Sequence, residues 1–207
     1  MPNISNLVLT LPAIILALTV HELCHGLMAY KLGDTTAKHD GRLSLNPMRH
    51  IDPIGIICLL FLHFGWAKPV MVNPGRFSYP KFDMALTAFA GPLSNFITAL
   101  ITTLIFYPLA NNIAVSNIIT SFLYALIIVN ISLGTFNMLP IPPLDGSKIF
   151  AAILPDKLYF QFISFGSRFG MILLLILVWT NLLSGFMSNL ISFIFNAFIT
   201  IAKTIYG

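Results

Sequence analysis

The sequence predicts an all-α polytopic membrane protein with about five transmembrane helices, a re-entrant or short sixth segment and a small β-element. Three observations carry this expectation. Hydrophobic residues make up 57% of the 207 positions and charged residues only 9%, where a soluble globular chain carries about a quarter. The mean hydropathy of +0.88 leaves too little polar surface to cover the chain in water. The apolar residues are gathered into long runs, with Lys and Arg placed between them. This length suits a single bundle, residues 1–207, with a core over about 4–150 and C-terminal helices over about 167–202.

The first run, residues 4–30, is long enough to cross a bilayer, and Lys31, Leu32, Gly33 and Asp34 end it, with Gly33 as a C-cap. Residues 1–6 carry no basic charge, and the apolar run behind them is too long for a cleavable signal, so a retained helix is expected. A polar stretch follows, with Asp40-Gly41 as a turn and Arg42-Leu43-Ser44-Leu45 alternating as a strand does. Residues 54–66 are apolar but short for a span, which suits a re-entrant piece. Residues 68–76 read as extended chain, because Val70 and Val72 alternate and Pro69 and Pro74 exclude helix. Four further spans are expected at 82–107, 118–136, 169–183 and 186–201. Cys24 and Cys58 sit inside apolar runs and read as buried residues, not a disulfide framework.

Orientation follows from the basic residues. Lys31, Lys38, Arg42 and Arg49 lie before residues 54–66, and Lys68, Arg76 and Lys81 after them; Lys148, Lys157 and Arg168 form a third group. If residues 54–66 re-enter, all three groups are cytoplasmic, the N-terminus is outside and Lys203 is inside. The net charge of +4 therefore belongs to membrane orientation, and no nucleic-acid partner is expected.

Chemistry is concentrated in His21-Glu22-Leu23-Cys24-His25. On a helix, positions i and i+4 share a face, so the two imidazoles can bind one zinc ion. Glu22 can act as general base toward a water on the open metal position. Glu22 is the only glutamate in the chain. An ionisable residue inside a span costs at least ~2.5 kcal/mol and marks function by default; the bland alternative is a polar knot between helices. His21 lies ten residues before Lys31, which puts it roughly 15 Å below the helix end, near mid-bilayer. A third protein ligand is needed. Among the remaining acids and histidines, Asp145 stands out: it follows a span directly, in Asn137-Met138-Leu139-Pro140-Ile141-Pro142-Pro143-Leu144-Asp145-Gly146. Its prolines prevent regular helix, and irregular backbone at membrane depth is tolerated where it lines protein or a wet cavity.

These residues resemble the site-2 protease family of intramembrane zinc metalloproteases, in its compact bacterial form. The likeness rests on the His21–His25 motif, on Gly91-Pro92-Leu93-Ser94-Asn95 and on the 137–146 stretch, with Arg42-Leu43-Ser44-Leu45-Asn46-Pro47 and Trp66-Ala67-Lys68-Pro69-Val70 in support. It spans about residues 20–150 in the expected order. The resemblance implies one zinc ion held by His21, His25 and Asp145, with Glu22 as base. It implies cleavage of a peptide bond within or beside the transmembrane segment of a membrane-protein substrate, in a bacterial cytoplasmic membrane with the site opening to the cytoplasm. Asn137 matches a position proposed to contact the oxyanion or the substrate; an interhelical hydrogen bond or cap is the alternative. The larger relatives have a span before the motif helix and a regulatory domain, and neither is expected here, so substrate recognition would rest on the core or on separate partners.

Asn95 either lines the active-site cavity as a substrate contact or satisfies backbone groups freed by Pro92. His39, His50 and His63 lack partners at helical spacing and read as loop, interfacial or buried residues. The extended pieces at 42–45 and 68–72 can pair as a small sheet whose edge captures an unwound substrate. Two rival functions remain open: a membrane metal transporter, against which the solitary Glu22 and the absent repeat count, and a catalytically silent relative.

Overall fold

The structure, a computed structural model, describes residues 4–55, 58, 67–110 and 116–207. Most of residues 54–66 lie outside this set, so the expected re-entrant segment does too. Among the described residues, five helices are long and apolar enough to cross a membrane. They are α1 (Ile4–Lys31), α3 (Pro80–Ala110), α4 (Asn117–Asn137), α6 (Asp156–Trp179) and α7 (Ser184–Tyr206). Between them lie two short helices, α2 (Thr36–His39) and α5 (Asp145–Ile153).

Each boundary has a local cause. α1 stops at Gly33, whose φ of +104° is open to glycine without strain, and the Asp34 amide closes the end on Ala29 O at 2.9 Å. Ser116 caps α4 by accepting from the Ile118 amide. The proline-rich stretch after Asn137 stops α4 and delivers the chain to α5. The largest difference from expectation is α6, which begins right after Pro155 instead of near residue 169. Asp156, Lys157, Gln161, Ser167 and Arg168 interrupt the apolar run, and the helix continues through all of them.

α1, α3 and α4 pack on one another, α5 closes against α3, and α7 leans on α3 and α4. Small residues allow the close approach: Ala13, Ala17, Ala29 and Ala99 are completely buried. Ala99, Ile127 and Ile131 form a buried centre, against which Phe195 and Phe198 of α7 pack. α6 meets the rest through glycines: Gly166 and Gly170 lie against Pro142.

The β-element is smaller than expected. Among the described residues there is no sheet, only one antiparallel bridge, Ile51 to Ala67, next to a Lys68 amide bond to His50 O at 2.8 Å. Residues 42–45 do not pair with 68–72. The reason is where the amides of that second strip go. Pro69 has none, the Val70 amide donates to Glu22 Oε2 at 2.8 Å, and the Asn73 amide donates to Asp34 Oδ2 at 2.7 Å. Donors spent on carboxylates of α1 and its end are not available to a strand.

Asp34 is a structural anchor. It has no exposed surface and accepts from the Thr36 amide (3.0 Å), the Thr36 hydroxyl (2.5 Å) and Asn73, with Arg76 at 3.9 Å. Burial pushes its pKa up, but these hydrogen bonds and the Arg76 charge outweigh that and hold it below its ordinary value. The stabilisation is therefore complete above the ordinary carboxylate range and is lost as pH falls through the depressed value. Asp34→Ala is expected to cost about 2–3 kcal/mol, since hydrogen bonds to a charged group are worth about 1.5–3 kcal/mol. Thermal unfolding in detergent should show this loss at neutral pH and a much smaller one in strong acid.

Candidate metal centre

His21 and His25 project from one face of α1, with ring centroids 4.5 Å apart and planes at 89°. Their Nε2 atoms lie 3.0 Å from each other. Asp145, first residue of α5, brings Oδ2 to 3.0 Å from His25 Nε2 and 3.2 Å from His21 Nε2. All three residues are buried, at 4%, 8% and 7% exposure. They form a group that could hold a metal ion, with their ligand atoms within 4.8 Å of one another. The structure thus unites residues that are 120 positions apart in the chain.

The back of each imidazole is tied down. His25 Nδ1 donates to the main-chain carbonyl of Thr87 at 2.7 Å, and a carbonyl can only accept. That proton on Nδ1 leaves a lone pair on Nε2. His21 Nδ1 faces Asn95 Oδ1 at 2.6 Å. With both Nδ1 atoms protonated, two Nε2 lone pairs and a carboxylate oxygen meet at one point with no proton among them. Such an arrangement is repulsive alone and fits a cation: a mixed N/O set of three ligands suits zinc in a catalytic site.

Asp145 divides its oxygens. Oδ2 faces the imidazoles, while Oδ1 accepts from Lys148 Nζ at 3.1 Å, one turn along α5. Two glycines make the geometry possible. A Cβ at Gly91 would sit 2.5 Å from His25 Cε1 and 2.8 Å from His21 Cε1. A Cβ at Gly146 would collide with the carbonyl oxygens of Met138 and Leu139. α3 therefore lies flat against both rings, and the turn ahead of α5 folds tightly enough to aim Asp145.

Glu22 stands beside this group, half-buried, with Oε2 on the Val70 amide. Asn137 is half-buried, and its Nδ2 donates to Leu133 O of its own helix at 3.1 Å; no hydrogen bond joins it to the cluster. Asn95 is fully buried behind His21. His50 is buried and bonded to Ser44 O, and His39 lies in α2. Cys24 is a free, half-buried thiol.

Four partners of the site were not singled out from the sequence. Lys148 carries a readable signal, Asp-x-x-Lys at helical spacing. Asn130, bonded to Asn95, carries one too, as a lone amide in an apolar span. The Thr87 carbonyl and the Val70 amide carry none, because a main-chain group is the same in every residue.

Comparison with known proteins identifies the family. The model of peptidase family M50 matches residues 105–177, a stretch that contains Asp145. The chain is 40% identical over 181 residues to "Putative zinc metalloprotease YwhC" of Bacillus subtilis (strain 168), covering 85% of this chain and 81% of that protein. No solved structure matches. The apolar helices make this an integral membrane protein, and the extent of its likeness to the Bacillus protein, together with the family match over residues 105–177, shows that the chain belongs to peptidase family M50, the site-2 protease family.

Proposed function

We propose that this protein is an intramembrane zinc endopeptidase that cuts a peptide bond within or next to the transmembrane segment of a membrane-protein substrate. The observation that carries the reading is the convergence of His21 Nε2, His25 Nε2 and Asp145 Oδ2 on one buried point. These three residues would hold the zinc ion, one per chain. When bound, zinc supplies Lewis acidity toward a water and toward the scissile carbonyl. Glu22 is the base that would take a proton from the attacking water and return it to the leaving amine. It is half-buried and adjacent in sequence to His21, on a helix that also carries His25.

The other residues orient and support. Thr87 O and Asn95 fix the two rings, and Lys148 holds the second oxygen of Asp145. Asn137 spends one amide hydrogen on Leu133 O, and the second can be donated to the developing oxyanion. With His21 ten residues before Lys31, the cut falls about 15 Å from the end of α1. The basic loops favour an opening toward the cytoplasm of a bacterial cell, across its cytoplasmic membrane.

Metal analysis of purified protein tests the reading, paired with cleavage of single-span substrates in detergent or liposomes. Wild type should carry about one zinc per chain and cleave; Asp145→Ala should lose most of the metal and all measurable cleavage. Full zinc occupancy in Asp145→Ala would remove the carboxylate from the ligand set.

A further inference from the structure

We propose that Asn130 is a positioning residue for the metal site, fixing the direction of a hydrogen-bond chain that ends on His21. The inference rests on the reading of His21 as a metal ligand.

Asn130 lies in the middle of α4 and is completely buried, as is Asn95 of α3. A buried amide is costly unless its hydrogen bonds are made. Asn130 Nδ2 donates to the Leu126 carbonyl at 2.8 Å. That carbonyl cannot donate, so the amide nitrogen faces it and Oδ1 faces the other way. Asn130 Oδ1 then accepts from Asn95 Nδ2 at 2.9 Å. Asn95 Nδ2 spends its second hydrogen on the Ala17 carbonyl, at 3.2 Å. Both hydrogens are committed, so the oxygen of Asn95 faces His21 Nδ1. An acceptor there calls for a proton on Nδ1, and a neutral imidazole has only one. Nε2 is left bare and aimed at Asp145.

The direction of the chain is thus set at its far ends by two main-chain carbonyls, and Asn130 transmits it. Without its oxygen, the Asn95 amide is held by the longer Ala17 contact alone. The flipped amide then becomes competitive. It would offer N–H to His21 Nδ1, move the ring proton to Nε2 and leave no lone pair for a metal. A residue that only glued α3 to α4 would affect stability and leave metal affinity unchanged.

The test compares wild type with Asn130→Leu, close in size but without an acceptor, and Asn130→Asp, which keeps an oxygen toward Asn95. Zinc affinity is read by chelator competition, site geometry by the absorption spectrum of cobalt-substituted protein, and folding by unfolding of the metal-free form. Asn130→Leu is expected to bind zinc about 10-fold or more weakly, with an altered cobalt spectrum, and Asn130→Asp to recover most of the affinity. If the Leu variant does not fold, Asn130→Ala takes its place. Wild-type zinc affinity and cobalt spectrum in the Leu or Ala variant, whatever its melting temperature, would overturn the proposal. So would equal losses in the Leu and Asp variants. His21→Ala separates the two levels: if it keeps zinc, the ligand assignment fails; if it loses zinc while Asn130→Leu does not, only the role of Asn130 fails.

Discussion

Glu22→Gln should abolish peptide cleavage, with kcat/KM falling by about 10²–10⁴-fold, while zinc stays bound. Glu22 is outside the cluster of three ligand atoms, so the metal does not depend on it. The substitution is nearly isosteric, and the amide oxygen of Gln can still accept from the Val70 amide, which keeps the 68–73 strip in place. What disappears is a carboxylate next to His21 in the chain that does not belong to the ligand set. Metal content measured alongside turnover separates this outcome from collapse of the site. Retained cleavage would eliminate Glu22 as the base, and transport of metal at an unchanged rate would favour the transporter reading.

Gly91→Ala should weaken metal binding. The new methyl group would enter the space occupied by His25 and His21. Neither ring can swing aside cheaply, because each is held at Nδ1, one by Thr87 O and one by Asn95. Overpacking typically costs 1–3 kcal/mol, equivalent to roughly a 10–100-fold loss of zinc affinity if it falls on the bound state. The clash is present in metal-free protein too, and the better helix propensity of alanine, about 1 kcal/mol, offsets only part of it, so metal-free protein should unfold slightly earlier than wild type. Gly26→Ala is the control: its nearest obstacle is Leu43 Cδ2 at 2.9 Å, the far end of a flexible side chain. Chelator competition on both variants checks the contrast, and wild-type affinity in Gly91→Ala would refute this account of the packing.

Much of the architecture was legible because membrane helices announce themselves through length and composition. The ends of α1 and α4 fall within a residue or so of where Gly33 and the proline-rich stretch place them. The beginning of α6 was not, since Asp156, Lys157, Gln161 and Arg168 break the apolar run there while the helix continues through them. The pairing of residues 42–45 with 68–72 failed for a related reason. Alternation of side chains says nothing about where amides point, and these point to Glu22 and Asp34. At the candidate metal centre, His21, Glu22, His25 and Asp145 were visible because a charge or imidazole in an apolar chain is conspicuous. Gly91 was visible only as part of a motif; its contact with both rings depends on how α3 lies against α1, which local sequence does not encode.

A survey that replaces side chains one at a time would undercount the residues on which this site depends. Thr87 makes the point. Its carbonyl fixes His25, yet its hydroxyl has no hydrogen-bond partner among the described residues. Ala17 and Leu126 likewise contribute only their carbonyl oxygens. Such positions can drift in identity over evolutionary time and still perform the same task, provided the helices carrying them keep their spacing. Distant members of the family can therefore preserve the coordination geometry where their alignments show no shared letter, and a search for relatives that scores only identities will miss that inheritance.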